Sequence, residues 1–284
     1  MGGRAERATF LATVVVLAGS AFAAELTHKE FHFKVHRHSS VSILNEYGPI
    51  SVRPVSGHQV IVNAVLHSAR VTVDSNQRGS RVEIVSHLLP GATAESGKVD
   101  YDVQLPADAR VTLDSSTGPL YAEGLRGDIV LVGNTGTVEV RNVSSGHVHI
   151  KTLDGPVNLT NVTDGHVEIT SVGGQIAMKS VSGPLVQVNS NKGNIAYDGD
   201  FGGGGQYLLV TNSGNIEAIA PALASIDVVA ESVKGKVVND FSLQPAHSSF
   251  VERAGSAFAG TLGKAASSVK LLSFSGKIHL KKRP

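Results

Sequence analysis

Four histidines, His28, His32, His36 and His38, fall within eleven residues near the start of the sequence. Read as an extended strand, this stretch places His32, Lys34, His36 and His38 on one face, opposite Phe31, Phe33 and Val35. Imidazoles two residues apart on a strand face are zinc or copper ligands by type, and Glu30 has the parity to join them. Lys34 in the middle of that face repels a cation, and a solvated strand face gives the same pattern. No metal ligand is therefore assigned, and metal binding by His32, His36 and His38 is left open.

Carbohydrate chemistry needs carboxylates grouped on one outward face, as an acid and base pair or as calcium ligands. Glu139 and Glu168 are the nearest approach to such a pair, standing on one face if three strands make a coil. Two acids on a long face are also expected by chance, so no catalytic residue is assigned. His147, His149 and His166 read as outward, solvated positions; a 19-residue coil would stack His147 on His166. YDGDFGGGG (197–205) has the composition of calcium-binding glycine-rich repeats but not their order, and reads as a loop. Asn142, Asn158 and Asn161 lie in N-x-S/T triplets and read as turn residues rather than glycan acceptors. No Ser-His-Asp arrangement stands out, and no cofactor is implied. The basic end, KIHLKKRP, reads as a solubilising tail that could touch anionic lipid or wall polymer.

The elements that would position these residues are short strands. The chain has 284 residues, 31 of them glycine, with 5% aromatic and 17% charged side chains and a net charge of +1. Such a charge balance gives no field for nucleic acid, and the few aromatics and absent Trp supply no stacking platforms. Residues 1–24 read as a signal peptide: Arg4 and Arg7 lead, FLATVVVLAG follows, and Ala21-Phe22-Ala23 fits cleavage near Ala23. An apolar stretch of about ten residues is too short to span a bilayer of about 30 Å. The mature chain is expected to be periplasmic or secreted, with no transmembrane span. It has no cysteine, hence neither a disulfide framework nor a lipid-bearing cysteine.

Gly118, Gly127, Gly136, Gly146, Gly155, Gly165, Gly174, Gly183 and Gly193 recur every nine or ten residues, and Gly214, Gly235 and Gly276 continue at wider intervals. The residue two after each is apolar, and the residue four after is apolar except at Gln187 and Asn239. Alternation of this kind is the period of a strand with one buried face. A third inward position is read seven after the glycine, at Val143, Leu153, Val162, Val172 and Val181. Glycine at the corner is read as serving a conformation costly to a residue with a Cβ. After Gly183 the alternation slips by one at Gln187, read as a bulge.

One four-residue strand and a turn cannot bury an apolar face alone; stacked copies can. The fold class is therefore all-β, a right-handed parallel β-solenoid with a less regular N-terminal β cap. The alternative is an antiparallel β-sandwich. Glycines 28 apart (Gly118, Gly146, Gly174, Gly202) favour three strands per coil, and glycines 19 apart (Gly136, Gly155, Gly174, Gly193) favour two; the lean is to three. The organisation is a signal at 1–24, an N-terminal β region at 25–110 capping the solenoid, and a repeat core with closing strands at 111–284.

The order of these segments resembles the bacterial putative-adhesin domain of unknown function, an extracytoplasmic β-solenoid family. NEYGPISVRPVSGHQVIV (45–62) is similar to its opening, VDYDVQLPADARVTLDSSTGPL (99–120) to its strand, proline, strand and glycine passage, and the run Gly127 to Gly235 to its repeats. GTLGKAASSVKLLSFSGKIHLKK (260–282) is similar to its closing strand pair, while 243–259 is irregular. The resemblance implies surface attachment or envelope-associated binding and brings no catalytic residues to carry over. The function expected is an exported, non-catalytic solenoid presenting a polar face to a polysaccharide or protein of the envelope or exterior. The alternatives are a polysaccharide lyase or hydrolase on the same scaffold, or a structural or regulatory envelope protein that binds another protein.

Overall fold

The computed structural model describes residues 26–202, 204–245 and 254–283. The signal segment read at 1–24 lies outside the described residues. Twenty-four strands form two twelve-stranded sheets, and no helix occurs among the described residues. Pairing along most of each sheet is parallel, which makes the fold a β-solenoid and excludes the antiparallel sandwich.

Each coil holds two strands, not three. Val138–Ser144 pairs in register with Val157–Thr163, which pairs with Ile176–Val181, so the step from Val138 to Val157 to Ile176 is one full coil of 19 residues. His147–Thr152, His166–Ser171 and Leu185–Ser190 make the facing sheet. The 28-residue spacing arises because it jumps from one corner to the opposite one. It also ends on Gly202, whereas the glycine that continues the corner is Gly205, against Gly183.

The third inward position, read seven after the glycine, holds on one sheet only. Val143, Val162 and Val181 are buried because Asn142, Asn161 and Ser180 adopt positive φ (54°, 55° and 54°), turning the strand's tail back inward. That tail belongs to the same strand. On the facing sheet, Thr152 and Ser171 point inward instead, and Leu153 and Val172 are 50% and 40% exposed. The slip after Gly183 is likewise at the corner: Pro184 is an extra residue there, the ladder from Leu185 to Ser190 is unbroken, and Val186 and Val188 are the buried pair.

The interior is one column of Val, Ile and Leu, including Ile129, Val148, Val167 and Val186 on one sheet and Val138, Val157, Ile176 and Ile195 on the other. Full burial of each is worth about 1.5–3 kcal/mol, against about 1–2 kcal/mol per residue for backbone ordering, so only a stack of coils is stable.

Glycine is at the corners for a reason other than φ. Among the stacked corner glycines only Gly48 has a positive φ (101°). What they share is crowding: a Cβ on Gly136, Gly155, Gly174, Gly193 or Gly214 would lie 2.0–2.2 Å from the carbonyl oxygen of the preceding corner glycine. The opposite corner repeats this through Gly146, Gly165, Gly183 and Gly205 at 2.0–2.3 Å. Real Cβ atoms cannot approach a backbone oxygen so closely, and the backbone cannot step aside without breaking the ladder.

The corner entering the first sheet has a second device. Ser115, Ser190, Thr211, Ser232 and Ser273 each accept the N–H of the glycine three residues on, at 2.9–3.0 Å. These hydroxyls are buried, and Ser232 and Ser273 also donate to the glycine carbonyl of the adjacent coil. The pattern S/T-x-x-G thus seals the interior with a satisfied hydrogen bond where an apolar side chain would have to bridge two sheets. Gly133 stands at that place before Gly136, where a Cβ would meet its nearest neighbour, Val138, at 3.6 Å, an ordinary van der Waals contact.

Both ends of the column are closed out of chain order. The coil of Arg81–Leu88 and Val99–Leu105 lies outside that of Ser40–Asn45 and Ile50–Pro54, although it comes later in sequence. At the far end, Ser267–Ser273 and Ile278–Lys282 insert between Gln206–Ala220 and the outermost pair, Ile226–Ser232 and Val237–Asn239. Antiparallel strands then cover the edges: Thr27–Lys34 on Gln59–Leu66, Val71–Arg78 on Arg81–Leu88, and Ala257–Leu262 on Ile226–Ser232.

Two substitutions separate these effects by thermal unfolding. Gly155→Ala, with its Cβ against the Gly136 oxygen, costs about 3 kcal/mol or more. Gly133→Ser places its Cβ in ordinary contact, supplies the missing turn acceptor, and raises stability by about 0.5–1.5 kcal/mol. A harmless Gly155→Ala would contradict the crowding.

Candidate functional site

With the coil fixed at 19 residues, the outward side chains form ladders. On the second sheet His147 and His166 stack with ring centroids 4.7 Å apart and planes within 1°. Beside them His149 Nδ1 donates to Glu168 Oε2 at 3.0 Å. On the first sheet Asn161 donates to Asn142 and Asn142 to Glu123, at 3.1 and 3.2 Å. Asn158 shares a column with Glu139 and Ala177. Glu139 and Glu168 therefore occupy opposite outer faces, Glu139 engaging Arg141 and Glu168 engaging His149. The two-strand coil separates the only carboxylate pair that the sequence offered.

Nor do His32, Lys34, His36 and His38 form one strand face. The strand ends at Lys34, Arg37 and His38 form a turn, and His38 takes φ 54°. His32 contacts Glu30 at 2.8 Å, the His36 N–H donates to Ser80 Oγ, and His38 Nδ1 lies 3.9 Å from Asp108. Among the described residues no group of three His, Asp or Glu side chains converges as a metal site.

YDGDFGGGG is an aromatic knot. Tyr197 and Phe201 stack at 4.3 Å, Tyr207 meets Phe201 edge-on at 5.0 Å, and all three are buried. Tyr197 Oη donates to the Val181 carbonyl, and Tyr207 Oη to that of Gly202. Burial pushes both phenols above their ordinary range. Arg283, in the basic tail, is held by Asp198.

One concavity among the described residues was passed over by the sequence reading. It is a groove of about 770 Å³ on the corner leading from the first sheet to the second, lined by Arg37, Pro54–His58, Pro106–Asp108, Gly124 and Arg126. It adjoins a hollow of about 370 Å³ that shares Asp108 and Arg126 and adds His38, Arg110 and Asp128. Backbone bonds fix its walls: Val55 N–H to Leu105, Val35 N–H to His58, and the Arg126 and Gly127 N–H groups to Ala107.

The charges there are unevenly matched. Arg110 is bound to Asp128 at 2.9 Å, and His147 Nδ1 lies 3.8 Å from the same carboxylate. Partial burial pushes Asp128 up, but the Arg110 hydrogen bond, the His147 backbone N–H and the two neighbouring charges together outweigh it and hold the carboxyl below 3.8. Arg37 and Arg126 have no ion pair or side-chain hydrogen bond among the described residues. Both are exposed, in a groove whose one carboxylate, Asp108, faces His38. The signal for this place was present in sequence as Arg37, Arg110 and Arg126, but Arg37 stands 73 positions before Arg110 and 89 before Arg126, which hid their proximity.

A family model described as Toastrack DUF4097 matches residues 38–281. Two crystal structures align along nearly the whole chain. A putative cell adhesion protein from Clostridium sporogenes ATCC 15579 is 14% identical, with 90% of this chain and all of that one covered and a TM-score of 0.33. A putative adhesin from Parabacteroides distasonis ATCC 8503 is 13% identical, with 92% and 98% covered and a TM-score of 0.40. No curated protein matches the chain.

A carboxyl held low stabilises the folded state above its unfolded value, and that contribution is lost as the pH falls through the folded one. The melting advantage of the native chain over Asp128→Asn, followed by circular dichroism, is accordingly present at pH 7 and shrinks below pH 3.8. An advantage equal at pH 7 and pH 2 would contradict the Arg110–Asp128–His147 arrangement.

Proposed function

The chain belongs to the Toastrack DUF4097 family, and from that premise we propose that it is an exported, non-catalytic module that binds a component of the cell envelope or exterior. The observation that carries this reading is the outer surface. A register fixed at every coil holds polar side chains such as His147, His166, Asn142 and Asn161 at a constant spacing on a rigid support. Recognition by an extended face costs little conformational entropy when the side chains are already placed.

The placement of the acids supports binding over turnover. Retaining and inverting glycosidases hold their two carboxyl groups roughly 5–9.5 Å apart across one sugar. Glu139 and Glu168 face opposite ways, each engaged by a neighbouring basic side chain. Export is supported by the signal-like residues 1–24, and no helix among the described residues is long and apolar enough to cross a membrane.

Retention of the full chain on immobilised envelope polysaccharides and on intact cells tests the proposal, with product analysis in the same samples, with and without calcium. The expected outcome is saturable retention without new reducing or unsaturated ends. Turnover that vanishes in Glu139→Gln or Glu168→Gln would replace binding with catalysis.

A further inference from the structure

We infer that the corner groove holding Arg37 and Arg126 is a binding site for the carboxylates of an acidic polysaccharide. This inference rests on the binding role proposed above and names its ligand class. A guanidinium left without an acceptor in a concave, backbone-fixed site presents a planar fork of N–H donors that matches a carboxylate in shape and charge. Two such groups, Arg37 and Arg126, line the same groove, and no described carboxylate engages either. Of the other described arginines, Arg53, Arg110, Arg141 and Arg283 are held by acids and Arg70 by the Pro90 carbonyl, while Arg78 and Arg81, also unengaged, line neither hollow. On a chain of net charge +1, Arg37 and Arg126 line one groove together.

The shape and lining choose among anions. The groove continues into the neighbouring hollow through Asp108 and Arg126, which suits a polymer lying along the corner better than an isolated ion. Its lining contains no Phe, Tyr or Trp, so it lacks the large aromatic platforms on which the bases of a nucleic acid stack. Gly57, Gly124 and Ala107 keep the floor open, while Ser56 and His58 offer hydrogen-bonding groups to sugar hydroxyls. Asp108 opposes an incoming acid and so sets where along the groove the ligand's carboxylates can rest.

Polygalacturonate oligomers are the probe, with neutral galactan and single-stranded DNA as comparisons, titrated calorimetrically against the full chain at two salt concentrations. Arg37→Gln/Arg126→Gln is expected to weaken polygalacturonate binding about tenfold or more. Arg53→Gln/Arg141→Gln removes the same charge from the first sheet's face and is expected to change it less than about twofold. Asp108→Asn is expected to tighten binding, and salt to weaken it. Unchanged melting temperatures establish that each variant is folded. Equal losses in the two double variants would overturn the inference in favour of diffuse electrostatics, as would tighter binding of DNA. Retention by neutral polymers with none by polygalacturonate would overturn the groove's assignment and leave the binding role standing; no retention by any polymer or cell would overturn both.

Discussion

The carbonyl oxygen of one corner occupies the space that a side chain at the next corner would need. With each Cβ position only about 2 Å from that oxygen, glycine is the one residue that lets coils stack at hydrogen-bonding distance. Everything else in the fold inherits this spacing. The parallel ladders close because the corners do not push neighbouring coils apart, and the interior column of Val, Ile and Leu is continuous because the ladders stay in register. The buried Ser and Thr hydroxyls complete the same corners from inside, tying each glycine N–H and so fixing where the turn begins.

That spacing also organises the outside. A one-residue slip in a strand exchanges its buried and exposed faces, so the register that keeps valines dry fixes the outward residues as well. His147 lands on His166 and Asn142 on Asn161. A stacked sheet of this kind would propagate without limit if its ends were left flat and parallel. The chain prevents this by placing antiparallel strands rich in charge, such as Thr27–Lys34 and Val71–Arg78, beyond its first coil. The corner groove lies beside this N-terminal closure, where the turn at Arg37 and the loop 54–58 depart from the repeat.

The repeat and its inward positions were legible from glycine and valine alone, because a period of two with a buried face leaves a strong trace. The number of strands per coil was not. Nine- and ten-residue units are nearly equal, and the tails of alternate units, Val143 and Leu153, look alike in sequence although one is buried and the other exposed. The S/T-x-x-G pattern runs along one corner, as at Ser190–Gly193 and Thr211–Gly214, and appears at the other only once, at Ser180–Gly183, so it favours the two-strand coil. The role of the corner glycines was misread for a related reason: crowding by a neighbouring coil is a property of the stack and leaves no mark within one unit. Arg37 and Arg126 were invisible as a pair, since they meet only through the out-of-order closure of the first coils.

The central claim is that each coil is a pair of facing strands stacked in register through the glycine corners. The chain has no cysteine of its own, so nitroxide pairs can be introduced cleanly. Labels at Asn158→Cys/Ala177→Cys occupy adjacent coils about 4.8 Å apart, whereas labels at Glu139→Cys/Glu168→Cys lie on opposite sheets separated by about 10 Å of interior. Strong dipolar broadening in the first pair and none of that strength in the second is the predicted result. Contact-range broadening between positions 139 and 168 would contradict the two-strand coil and the surface built on it.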